Sequence, residues 1–168
     1  MSATMAEFSF VEMLEANERE TVKWQNWFEH QPAGLLDLPL NIALAKNVRE
    51  FLLHIFAVEL RYAERLAGSK VTEYESLPTG SVAELFGIGK KARTHFRDYL
   101  ARATDEDLAV VVEFPTRISG VLSASKRKMF THAMLHGVRH WAQLATVLRE
   151  AGHGTDWGHD FLFSDVMP

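Results

Sequence analysis

Apolar residues recur every third or fourth position in four long stretches of this 168-residue chain, and turn-forming residues separate the stretches. That period is helical. The first stretch runs from about Glu7 to His30, with Phe10, Met13, Leu14, Asn17, Thr21, Trp24 and Phe28 forming its stripe. Gln31-Pro32-Ala33-Gly34 ends it, because proline cannot continue a helix and glycine suits a reversal. The second enters at Pro39-Leu40-Asn41, with Asn41 as its predicted cap, runs to about Ala67 and stops at Gly68. Its centre, FLLHIFAVEL, is apolar nearly all round, as expected of a helix with neighbours on several sides. Ser81 and Glu84 match a capping box that opens the third, which reaches about Ala103. Ser123 or Ser125 caps the fourth, which runs to about Ala151 and closes at Gly152.

The third and fourth stretches are joined by an irregular crossing. Asp105-Glu106-Asp107 reads as a polar turn. Leu108 to Phe114, LAVVVEF, is β-branched, too short for a core helix and ends at Pro115. It predicts a short strand or hairpin arm, with Ile118 to Leu122 as its partner. The tail, HGTDWGHDFLFSDVMP, has no period, but Trp157, Phe161 and Phe163 predict that it docks on the helices. Four long helices predict an all-α, four-helix bundle, with that crossing before the last helix, in a single domain over residues 1–168.

Composition narrows the function classes. The chain has no cysteine, which removes disulfides, thiolate metal sites and a cysteine nucleophile together. Net charge is −4 and the Lys and Arg residues are dispersed, so no basic stripe is present for nucleic acid. No long uncharged apolar run predicts a membrane span. The N-terminus carries Glu7 and Glu12 without a basic region, unlike a secretory signal. A soluble cytoplasmic protein is expected.

The eight histidines carry what chemistry can be read. His30 and His95 read as surface or satisfied core residues rather than ligands. His54 is the one histidine in an otherwise hydrophobic decapeptide, where a polar ring needs a partner. His132, His136 and His140 follow at four-residue intervals. Each interval drifts by about 40° around a helix, so the outer two are about 80° apart and about 12 Å apart along the axis. One ion can take two neighbours, and spacing does not choose between 132/136 and 136/140. HExxH, Glu-x-x-His, GxSxG and the P-loop are absent, and Gly87-Ile88-Gly89 lacks the third glycine of a nucleotide loop. The tail group His153, Asp156, His159 and Asp160 reads as a polar, solvated terminus rather than a metal site.

Order and two local signatures resemble the DinB/YfiT-like superfamily. In the second helix, His54 is followed by Glu59, Tyr62 and Gly68. In the last, His132, His136 and His140 are followed by Gln143 and Ala151-Gly152. Relatives usually carry Arg-Gly between the last histidine and the glutamine, where this chain has Trp141-Ala142. The resemblance implies an up-down-down-up bundle, often dimeric. It implies a divalent metal (zinc, nickel or iron) on His54, His136 and His140, with His132 outside the ligand set. It also implies relatives that transfer low-molecular-weight thiols such as bacillithiol or mycothiol.

Three neutral imidazoles leave a divalent cation its full charge, enough to lower the pKa of bound water or to ionise a thiol. With no cysteine in the chain, any thiol is a cosubstrate. Taken with the resemblance, a metal-dependent thiol S-transferase, acting on a small-molecule thiol and an electrophile, is the leading expectation. A metal-dependent hydrolase and a non-catalytic stress-response protein with a vestigial site are the alternatives. Gln143 is placed to support the His140 ring from one turn beyond it. Glu59 is rotated about 140° off the His54 face and reads as a polar partner elsewhere. Trp24 and Trp27 read as core or surface aromatics, and Gly137 as the point of a close helix approach. Apolar and aromatic content predicts an exposed apolar face and a homodimer.

Overall fold

The computed structural model describes residues 8–166 and is mostly helical. Four long helices, α1 (Phe10–Glu29), α2 (Val48–Leu66), α3 (Val82–Leu100) and α5 (Lys126–Glu150), surround one continuous core. Contacts run α1 to α3, α3 to α2, α2 to α5 and α5 back to α1, closing a ring. Each helix starts where a short polar side chain meets the first free backbone amides. Ser9, Asn47, Ser81 and Ser125 accept from the amides of Glu12, Glu50, Glu84 and Lys128. At α1 the exchange is reciprocal, with Glu12 bonded back to the Ser9 amide. The expected start near Glu7 lies outside the described residues.

Two small antiparallel ribbons sit at the bundle's ends. β1 (Pro39–Ile42) pairs with β2 (Ala45–Asn47), where the sequence had predicted helix from Asn41. Ala43 and Leu44 join the strands, and both have positive φ (51° and 69°). Positive φ at both central residues is what a two-residue hairpin of the twisted kind demands, normally met by Asn or Gly. With Ala-Leu there, the sequence carries no hairpin signal. Asn47 caps α2, not Asn41.

The second ribbon pairs β3 (Val111–Pro115) with β4 (Val121–Ser125). Asp105–Ala109 forms a short helix, α4, rather than a turn, because Thr104 caps it and acidic residues fill its first turn. Leu108 therefore belongs to that helix and is buried, and the strand begins three residues later. Ile118 lies exposed in the loop between β3 and β4, so the partner strand is shifted from the expected Ile118–Leu122. The loop closes through Gly120 at φ 68°, with Thr116 bonded to its carbonyl.

The tail docks through Trp157, as expected, and through His159 in place of Phe161 and Phe163. Trp157 and His159 pack on the buried Trp24 ring, and both bond Glu20 of α1. Phe161 and Phe163 are exposed. The His153–Asp160 segment is thus partly an anchor, and not wholly the solvated terminus that its polarity suggested. Gly89 of the Gly-Ile-Gly stretch has a packing role: a Cβ there would lie 2.4 Å from the Phe56 ring, so α3 meets α2 closely at that point.

Candidate metal centre

His54 projects from the middle of α2, and His136 and His140 from one face of α5. Their Nε2 atoms meet. His54 to His136 is 3.0 Å, His136 to His140 is 3.0 Å and His54 to His140 is 3.2 Å. Among the described residues these three form the group of side chains placed to share a metal ion. His136 and His140 are buried and His54 is half-buried. Phe51, fully buried, walls the group with its ring 5.0 Å from that of His140.

Burial and proximity keep the rings neutral. Desolvation holds His54 down to about 4 and His136 down to about 2, and each is lowered further by the neighbouring imidazoles. Desolvation also lowers His140, opposed by its bond to Gln143. Gln143 Oε1 lies 2.6 Å from His140 Nδ1. A carbonyl oxygen can only accept, so the proton sits on Nδ1 and the Nε2 lone pair faces the other two rings. Gln143 thus stands where the sequence placed it, and it selects the tautomer a cation needs.

The three nitrogens fit a cation. Ligand nitrogens at about 2.0–2.1 Å from zinc necessarily lie about 3 Å or slightly more from one another. Imidazole suits zinc, nickel and iron alike. Three neutral imidazoles held this close, with the His140 Nε2 lone pair facing the other two rings, present a nitrogen set that a cation would fit. His136 Nδ1 is buried and has no partner among the described residues.

The chain belongs to the DinB family. The family's model matches residues 1–164, and no curated protein matches the chain significantly. His132 lies outside the group. Its ring packs at 5.2 Å from Tyr62 and 5.6 Å from His136, one turn below the cluster. The structure thus brings His136 and His140, and not His132, to His54, where spacing left both pairs open. Trp141, where the resemblance leads one to expect arginine, turns into the core and stacks on Trp24 at 5.2 Å. Trp24 is core, and its ring contacts are to other aromatics and His159 rather than to the triad.

Two pairings escaped the sequence reading. Glu59 is fully buried, between Arg93 of α3 at 3.4 Å and Asn17 of α1 at 3.4 Å. Its role as a polar partner elsewhere was expected, but its partners were not. Arg93 was legible only as a charge on the apolar face of α3. The second is that of Arg139, whose Nη2 lies 3.2 Å from His140 Nε2. Neighbours in sequence do not face each other on a helix, so nothing in the spacing suggested it.

Proposed function

We propose that the chain is a metal-dependent enzyme of the thiol S-transferase type, on an up-down-down-up bundle, with His54, His136 and His140 as the metal ligands. The observation that supports it most is the triangle of neutral Nε2 atoms 3.0–3.2 Å apart. A divalent cation there would supply Lewis acidity toward a thiol or water that reaches it. The chain's own part is positional. Burial keeps the imidazoles unprotonated at neutral pH, Gln143 fixes the His140 tautomer, and Phe51 shields one side from water. Since the chain has no cysteine, the sulfur nucleophile comes from a small cosubstrate. In the transfer, that sulfur bonds the electrophile's carbon, the carbon's leaving group departs with the bonding pair, and the thiol proton passes to solvent.

Protein purified without a tag or added metal should carry one divalent metal per chain. With a monochlorobimane-type electrophile and a panel of thiols, it should form the fluorescent adduct faster than the uncatalysed reaction. His136→Ala should lose both properties. Metal without thiol-dependent turnover, but with ester or amide hydrolysis, would favour the hydrolase. Absence of metal at saturating zinc and nickel would leave the non-catalytic reading. A cytoplasmic homodimer is part of the proposal, supported by Leu135 and Val138, exposed on α5 in one groove with Phe8 and Phe161. Among the described residues no helix is long and apolar enough to cross a membrane. Sedimentation at the mass of one 19.0 kDa chain at micromolar concentration would remove the dimer.

A further inference from the structure

Among the described residues, Arg139 is the charged side chain outside the triad that reaches its inner edge. Its Nη2 lies 3.2 Å from His140 Nε2, the atom whose lone pair Gln143 has turned toward the other histidines. A guanidinium only donates, so it cannot join a ligand set. Its N–H and a cation would compete for the same lone pair, and a cation at the triad would displace it. The freed donors would then stand beside the cation on the side where His54 is half-buried and Arg139 itself is exposed.

The surroundings give those donors nothing else to hold. Among the described residues Arg139 forms no ion pair with a carboxylate. The charged groups that act on the histidines are cationic: Arg139 depresses His54, His132, His136 and His140, and Arg117 adds to the effect on His54. Arg117 is partly neutralised by Glu75 at 3.5 Å and lies over the Tyr74 ring at 3.7 Å. Glu59, the nearest buried carboxylate along α2, is held by Arg93 and Asn17. Neutral imidazoles, a divalent cation and the guanidinium would make a strongly positive site, and among the described residues no carboxylate acts on the three histidines to balance it. Such a site favours an anionic ligand, and an arginine fork favours planar or tetrahedral oxyanions.

We propose that Arg139 sets the specificity of the site by holding an anionic group of the thiol cosubstrate, so that the preferred thiols carry a carboxylate, sulfonate or phosphate a few bonds from sulfur. This rests on the reading of the triad as a metal centre, and the test separates the two. Cobalt(II)-loaded protein is titrated with 2-mercaptoethanesulfonate and with 2-mercaptoethanol, followed by sulfur-to-cobalt charge-transfer absorption. A sulfonate is a weak metal ligand, so any preference reports on the protein. The wild type should bind the sulfonate thiol at least about tenfold more tightly, the scale of one charge-assisted hydrogen bond. Arg139→Gln should bring the ratio near unity with cobalt stoichiometry unchanged, and Arg139→Lys should restore part of it. Failure to bind cobalt would sink the metal reading and this proposal with it. Bound cobalt with equal affinities, with no thiol binding, or with a preference that survives Arg139→Gln would overturn the role of Arg139 alone.

Discussion

Two buried polar clusters lie side by side in this bundle, one on each side of Gly137, and they solve opposite problems. The Asn17–Glu59–Arg93 cluster is self-complementary. An acid, a base and an amide from three helices pair across 3.4 Å contacts, with Asn17 Oδ1 and Arg93 Nε left without partners among the described residues. The histidine cluster is made of like groups, with Nε2 atoms turned together at 3.0–3.2 Å. Burial cost is similar in kind for both. The first offsets part of it from within the chain, through opposite charges, while the second brings only like groups together. Buried polarity therefore marks a site only when the groups do not complete each other.

The sharpest way to break the contrast is to make the first cluster incomplete. Arg93→Ala leaves Glu59 buried without its cation, and removing one partner of a buried pair costs about 3–5 kcal/mol. Urea unfolding should show that loss. Arg93→Met with Glu59→Leu should recover most of it, since replacing both charges by apolar groups is often neutral. Metal binding should survive the double change.

The second cluster should respond to metal instead. A ligand that binds only the native state adds about 2.7 kcal/mol at a hundredfold excess over Kd. For a domain of this size that is roughly 5–10 °C in Tm. Chelation should lower the melting temperature by that order without unfolding the helices. His54→Ala should abolish the shift, while His132→Ala should keep it. An unchanged Tm on adding saturating zinc or nickel to demetallated protein would count against the centre.

How much of this was legible follows from which interactions are local. The four long helices and their caps were readable, because a stripe and a capping serine each lie within a few residues. The Ala43-Leu44 turn was not, because its backbone runs against its own residues' preference and is imposed by its surroundings. The His54–His136–His140 triad could be assembled through the family resemblance, since α2 and α5 each carry a local signature. Arg93 and Asn17 had none. Each is a polar residue in a mostly apolar stripe, and only the packing of α1 and α3 against α2 shows that they meet at Glu59. Arg139 was hidden for the same reason, reaching the site by side-chain length rather than by helical phase.

Gly137 offers a finer probe of the boundary between the clusters. A Cβ at this position would sit 2.7 Å from Asn17 Nδ2 and 3.2 Å from Glu59 Oε1. Neither atom is at the free end of a mobile surface chain, so Gly137→Ala must push α5 away or displace Asn17. Overpacking of this kind costs about 1–3 kcal/mol. Because His136 is the preceding residue, the same shift should move its ring and weaken zinc affinity. A stable Gly137→Ala protein with unaltered affinity would show that the clusters are mechanically independent.

The smallest effect, and the most discriminating, is in the pH dependence of the demetallated protein. The two clusters should pull in opposite directions. The triad histidines have lowered folded pKa values, to about 4 for His54 and about 2 for His136. Below their ordinary value near 6.5 the unfolded chain takes up protons that the native state refuses, so stability falls as pH drops from about 6.5 toward 4. Glu59 is raised by burial to about 7, against the pull of Arg93 and Asn17. Between about 4.5 and 7 its native form keeps a proton that the unfolded chain has released, so its contribution is full at the acid end and fades as pH rises. Near pH 5.5 three histidines oppose one glutamate, and the net slope should be positive. His54→Ala should flatten that slope in urea midpoints measured from pH 5 to 7.5, and Glu59→Gln should steepen it. If both variants move the slope the same way, the two clusters do not titrate as opposites, and the contrast between a completed pair and an incomplete triad fails at its electrostatic root.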